Sequence, residues 1–399
     1  MFASVVFQIC FKKGISKMDV ARSISNDSSW LKKALILSKM TRWELERLNY
    51  PDLTDNQFTD ALKKRGSDIK RLISFHDSQK QVENTVTTTL QDLKIESRTV
   101  NRLTYKEEDV AWADAIIPVG GDGTFLVAAS KVLDRKKPVI GFNSDLKHSK
   151  GHLCLPKNCS LNPHTIKETL EKLKQGQFTW MFRTRIRTTL NGDGEPPVEL
   201  HYRRRQVLFL LFSLFLNLYQ PRHEVESGNK SPKTVVLPEL ALNEVFAGEL
   251  LSARVSNIEL KVDDEEELPV KCSGMMVSTG TGSTSWHYTH NQLATQTVRK
   301  LLSFAGADPN KAHEVASTYN AHLIFNPEDT RLGFTIRDII EEDPSHRPSG
   351  FASKVTMKSK CLDASLVIDG GMSYNFNEGT VATFETRPED ALKTVVLLP

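Results

Sequence analysis

Several function classes are made improbable by what this sequence has little of. Its five cysteines, Cys10, Cys154, Cys159, Cys272 and Cys361, are odd in number and scattered. No pair has CxxC spacing, so neither a zinc site nor a disulfide framework is suggested, and a reducing compartment fits. Charge of one sign is missing too: 52 Lys and Arg stand against 49 Asp and Glu, a net of +3. Phosphate binding on the scale of a nucleic acid needs clustered Lys and Arg, so no nucleic-acid partner is expected. An apolar run of the roughly 20 residues that span a bilayer is also absent, and no membrane partner is expected.

What is present is a chain of 399 residues, 39% hydrophobic and 25% charged, with room for two globular domains. The opening stretch MFASVVFQICFKKGISKMDVARSIS carries Lys12, Lys13, Lys17 and Arg22 against one acid, Asp19. Basic, Ser-containing and acid-poor, residues 1–30 read as a mitochondrial targeting segment, with a cytoplasmic protein as the second choice.

From Lys33 the pattern alternates. Short apolar runs at 33–39, 113–119 and 138–143 suit buried strands, and 96–102 alternates like a strand. Helical spacing occupies 55–65, 77–93, 124–133 and 163–174, with Asp55 and Asp77 as expected N-caps. Strands alternating with helices predict an α/β domain with a parallel sheet over 31–150. After Gly151 the β-like runs dominate, at 178–190, 240–247, 253–262, 270–278, 332–337, 354–360, 367–369, 380–386 and 394–398. A β-rich, sandwich-like domain over 151–399 is expected, with a helix at 285–302. Residues 200–235 form an irregular insertion, and within it VLFLLFSLFLNLY has neither helical nor strand periodicity. It reads either as buried core or as a retained intron.

The chemistry lies in AIIPVGGDGTFL. A strand running into glycines and then a helix aims free N–H groups and a helix dipole at an anion, and glycines let it come close. Asp122, set among Gly120, Gly121 and Gly123 and followed by Thr124, would repel phosphate. It makes sense there if it holds Mg²⁺ or takes a proton from an attacking hydroxyl. GGDGT occurs in phosphofructokinases, in diacylglycerol and sphingosine kinases and in NAD kinases, so the motif indicates phosphoryl transfer to a hydroxyl without naming the acceptor.

Downstream, LALNEVFAG holds Asn243 and Glu244, and VSTGTGSTSW is a second Gly/Thr/Ser loop. With these the chain resembles the NAD kinases, whose signatures are GGDGT, an Asn-Glu pair and a loop of the form TPTGSTAY. GHLCLP, ALNEVF, TGTGS and VIDGG resemble the family's mitochondrial branch. The resemblance implies ATP-dependent phosphorylation of the adenosine 2′-hydroxyl of NAD⁺, with Mg²⁺, polyphosphate as another donor, and a homodimer. It implies that Asp122 is catalytic, that Gly120, Gly121, Gly123 and Thr124 handle phosphate, and that Asn143, Asn243, Glu244, Thr281, Ser283, Thr284 and Trp286 bind NAD⁺. It also implies a site between the domains and a C-terminus that returns to the first domain. Another GGDGT kinase acting on a lipid or sugar, or a catalytically silent NAD-binding protein, are the alternatives.

Two departures from the family pattern stand out. Gly280 replaces a common Pro and is expected to loosen its loop. Ser273 replaces a common Asp near the nicotinamide end. Arg183, Arg185 and Arg187 alternate, as on a solvated face of one strand, and residues 263–267 read as a solvated hairpin tip.

Overall fold

The computed structural model describes residues 30–192, 197–200, 233–251, 253–340 and 347–398. The run 207–220 and almost all of the expected targeting segment lie outside them. The chain divides into two compact units, 1–182 with 392–399, and 183–391.

The first unit holds a four-stranded sheet in the order β2-β1-β3-β4, from β1 (Lys33–Ser38), β2 (Glu96–Asn101), β3 (Ala115–Gly120) and β4 (Phe142–Asn143). All three pairings are parallel. Every residue of β3 is buried, as a strand covered on both faces requires. Leu35, Ile36, Leu37, Ile116, Ile117, Phe125 and Phe142 are essentially inaccessible to water. Two expected helix starts are corrected. The cap of helix Asp55–Lys64 is Thr54, whose reciprocal bonds with Gln57 outcompete Asp55. The long helix Ile69–Asp92 begins ahead of Asp77, because Asp68 already accepts the Arg71 N–H at 3.0 Å.

This unit extends past Lys150, where the sequence pattern had suggested a boundary. Helix Pro163–Lys174 adds Ile166, Leu170 and Leu173 to its core. The strands β5 (Phe178–Arg183) and β19 (Leu392–Leu397) form a separate two-stranded ladder. Trp30 packs edge-on against Phe178 and Trp180, both with centroids 5.4 Å away, so the folded unit starts by Trp30.

The second unit is antiparallel. One sheet runs β11-β10-β15-β18-β6-β8 and the other β14-β13-β12-β9-β16-β17-β7. The strands are β6 (Ile186–Gly192), β7 (Val198–Glu199), β8 (Lys233–Val236), β9 (Glu244–Glu249), β10 (Ser256–Val262), β11 (Leu268–Cys272), β12 (Gly274–Ser278), β13 (Leu332–Arg337), β14 (Ser349–Ala352), β15 (Lys354–Ser359), β16 (Ala364–Ile368), β17 (Met372–Asn375) and β18 (Val381–Thr386). Their inward side chains, including Val277, Phe334, Val355, Leu366 and Phe384, share one core, the sandwich arrangement. The expected helix at 285–302 is two helices, Trp286–Asn291 and Thr295–Phe304, parted where Gln292 and Ala294 are extended. Arg183, Arg185 and Arg187 do not share a solvated strand face. The chain leaves β5 at Arg183 and enters β6 at Ile186; Arg185 is wholly buried, and Arg187 is clamped by Asp390. Residues 263–267 do form the exposed tip of the β10–β11 hairpin.

Candidate active site

In the first unit the glycine turn joins β3 to helix Asp122–Ser130, with Gly121 at the N-cap. The two glycines ahead of the helix are packed to different degrees: a Cβ on Gly121 would meet the Ser149 hydroxyl at 3.0 Å. A Cβ on Gly120 would collide with Thr124 and lie 2.9 Å from Lys39 Cβ. Gly123 differs: among the described residues, apart from its chain neighbours and its own helix backbone, a Cβ there would meet nothing within 4 Å. Asp122 is held from the loop that follows β4. Its Oδ2 accepts the His152 N–H at 3.1 Å and its Oδ1 the Leu153 N–H at 2.9 Å. That loop is set by Gly151, at φ +64°, packed where any side chain would strike Asn143. Asn143 itself is buried in β4, with Oδ1 accepting the Asp145 N–H.

Beside the turn, at the carboxyl ends of β1 and β2, a cavity of about 500 Å³ is lined by residues that include Lys39, Trp43, His76, Lys80 and Val100. Open parallel sheets place ligands at this edge. Lys80 is ion-paired to Glu44 and Glu83, both at 3.0 Å. Among the described residues the Lys39 ammonium has no ion-pair partner. Lys39 is the functional candidate that periodicity hides, because in sequence it only ends an apolar strand.

In the second unit Asn243 and Glu244 stand at the start of β9. Asn243 Oδ1 and Glu244 Oε2 are buried without a hydrogen-bond partner among the described residues. Burial, and then the neighbouring Asp369 charge, push the Glu244 carboxyl up to about 8. The loop after β12 packs on this pair: the Thr279 N–H donates to Asn243 O at 2.9 Å, and a Cβ on Gly282 would collide with that same carbonyl. Thr281 Oγ1 accepts from Arg183 at 3.3 Å, and Thr284 Oγ1 donates to Thr281 O. Ser283 is turned inward, its hydroxyl donating to Gly280 O at 2.6 Å and accepting the Phe325 N–H. Trp286 is 47% exposed, its ring edge-on to Phe246. The expectation of a loosened loop at Gly280 is corrected. A Cβ at that position would collide with Asn326 O, so the backbone is closely packed there. Ser273 lies at the joint of β11 and β12, its N–H donating to Arg337 O.

Residues 33–178 match the family model described as the ATP-NAD kinase N-terminal domain. The chain is 39% identical over 377 residues to the human protein "NAD kinase 2, mitochondrial", covering 92% of this chain and 84% of that one. The rat counterpart is 40% identical over 379 residues, covering 92% and 87%. The chain belongs to the NAD kinase family. As an NAD kinase it phosphorylates NAD⁺ at the expense of ATP, which sets aside the lipid, sugar and catalytically silent alternatives. Its fold is also that of an NAD kinase from Archaeoglobus fulgidus in complex with ATP, at TM-score 0.50, 16% identity and coverage of 91% and 92%. Yeast NADH kinase complexed with NADH gives TM-score 0.51, 14% identity and coverage of 92% and 84%.

The donor set of this NAD kinase fits a magnesium ion carried by its nucleotide. Mg²⁺ binds through one or two carboxylates plus substrate phosphates and water. Each Asp122 oxygen keeps an acceptor site beyond its backbone bond. Among the described residues no group of three or more His, Cys, Asp or Glu could form a cage of its own.

The Glu244 environment has a measurable cost. The folded protein retains at this carboxyl a proton that the unfolded chain releases above about 4.5. Its contribution to stability therefore falls as pH rises from about 4.5 to about 8, and is level above that. Glu244→Gln removes the titration. The variant is expected to gain several degrees of melting temperature over wild type across that window, with the gap widening as pH rises. Melts recorded through the window check this; a gap independent of pH would show that Glu244 does not titrate there.

Proposed function

We propose that Asp122 is the catalytic base of the NAD kinase reaction and that Asn243 and Glu244 grip the adenosine ribose of NAD⁺, so that its 2′-hydroxyl receives the phosphoryl group. The observation that carries this reading is the Asp122 carboxylate itself. It stands at the first turn of a helix, held by two backbone N–H groups, beside a glycine with open space above it. In that position it can take the hydroxyl proton as the ribose oxygen bonds to the γ-phosphorus and the bond to ADP breaks. The Thr124 N–H donates to Gly121 O at 3.0 Å, while those of Asp122 and Gly123 lie ahead of any intrahelical acceptor and suit the transferring phosphate. Asp122 and the ATP phosphates would hold Mg²⁺, which would supply charge neutralisation there.

The cavity beside Lys39 supports ATP as the donor in preference to polyphosphate. Its volume suits a nucleoside, Trp43 and Val100 offer apolar surface, and Lys39 offers a cation for phosphate. In the second unit, the orphaned acceptors of Asn243 and Glu244 match a vicinal diol, whose two hydroxyls can donate to both. Thr281, Thr284 and Trp286 would flank the adenosine, Trp286 as a stacking surface; Ser283 would act by holding the loop. Family resemblance supports a homodimer. The names of the vertebrate relatives and the composition of residues 1–25 support a mitochondrial location. Among the described residues no helix is long and apolar enough to cross a membrane.

Asp122→Asn keeps the size of the side chain and loses the charge. Its kcat is expected to fall about 10²- to 10⁴-fold, with the KM for NAD⁺ changed far less. Turnover within about tenfold of wild type would leave Asp122 as a turn former only. Gly123→Ala separates fold from function, since among the described residues its Cβ would meet nothing within 4 Å beyond its own helix and chain neighbours. An unchanged melting temperature with activity reduced at least about tenfold is expected, a cost of roughly 1.4 kcal/mol or more in the barrier. Full activity would show that no ligand uses that space. Residues 1–32 fused to a fluorescent reporter should direct it to mitochondria; a diffuse cytosolic signal counts against that address.

A further inference from the structure

We propose that Asp369 is a positioning residue for the dinucleotide: its buried carboxylate gathers the backbone of Leu242, Asn243 and Glu244 and so sets where the Asn243 and Glu244 side chains point. The inference rests on the reading of that pair as the ribose grip. Asp369 Oδ2 accepts the Leu242 N–H at 2.7 Å, and its Oδ1 accepts those of Asn243 at 2.8 Å and Glu244 at 3.1 Å. The Asp369 N–H returns a bond to Glu244 O at 3.0 Å. From the other side, Thr279 Oγ1 donates to Leu242 O at 2.6 Å. The pair's backbone is thus held on both sides, while Asn243 Oδ1 and Glu244 Oε2 have no hydrogen-bond partner among the described residues.

The geometry asks for a carboxylate in particular. Asp369 has φ +47° and Gly370 φ +66°, and asparagine tolerates such a turn as well as aspartate. An amide, however, has one acceptor oxygen, and its NH₂ group would face a donor. Both Asp369 oxygens are in use as acceptors. The groups acting on the two carboxyls are few. Asp369 is pushed up to about 6, by burial first, against the three N–H bonds and Arg185. Glu244 is pushed up by burial and Asp369, with the Ser285 hydroxyl acting in the opposite sense.

A role confined to folding would not move the titration of ligand binding, so the test is the pH profile. Steady-state rates of the full-length enzyme are measured with NAD⁺ varied at saturating ATP, from about pH 6.5 to about pH 9.5. Ribose hydroxyls donate to an ionised carboxylate, so the wild-type KM for NAD⁺ should fall as pH rises through about 8. In Asp369→Asn the KM should rise at least about tenfold with kcat within about threefold. Its inflection should move to lower pH, because a neighbouring negative charge is gone. A folded variant with wild-type KM and inflection overturns the proposal. A wild-type KM that is flat with pH does so too, whether or not the variant folds. Asn243→Ala separates the two levels of argument. If it raises KM while Asp369→Asn does not, positioning alone fails; if it leaves KM unchanged, the ribose grip fails and the proposal with it.

Discussion

Gly282 packs so closely on the carbonyl of Asn243 that no side chain could stand in its place, and Gly280 is pressed as tightly against Asn326. In the first unit Gly120 is crowded instead by the side chains of Thr124 and Lys39. The loop of the second unit is therefore built from backbone brought nearer to backbone than a Cβ permits, and the turn of the first from backbone pressed against side chains. Such close approach is open to glycine alone. Gly123, which nothing among the described residues crowds beyond its own helix and chain neighbours, belongs to a different class from Gly120. Gly120 satisfies the fold, whereas packing does not require Gly123 to be bare.

The carboxylates of the two units are held in different surroundings. Asp122 is oriented by two N–H donors at a helix start, where a negative group is welcome. Glu244 is kept from water beside another acid, which favours its neutral form. An unpartnered oxygen on such a group is expensive to maintain in the absence of a ligand.

Much of this was legible in the sequence. The alternation from Lys33 onward gives the parallel sheet because β3 and its neighbours are buried on both faces and read as apolar runs. The glycine turn and the Asn-Glu pair are legible because their chemistry is written in adjacent residues. Lys39 and Asp369 are not. Lys39 acquires meaning only when β1 and β3 lie side by side, and Asp369 acts on residues more than 120 positions away. The buried Arg185 is hidden for the opposite reason. Alternation is a good guide along one strand, and here the chain passes from one ladder to another in the middle of the pattern.

The strand Leu392–Leu397 has a consequence for how the molecule is made. It pairs with β5, its Val395 enters the core of the first unit, and Thr394 Oγ1 donates to Val139 O at 2.9 Å, 255 positions back. During synthesis the parallel sheet emerges early, but its flank stays open until the whole second unit has left the ribosome. The first unit therefore lacks its last strand until residues 392–397 have emerged. Closure of the older half is then a late event of high contact order. A nascent chain stalled short of residue 392 would carry a complete GGDGT turn on a sheet still lacking its last seal.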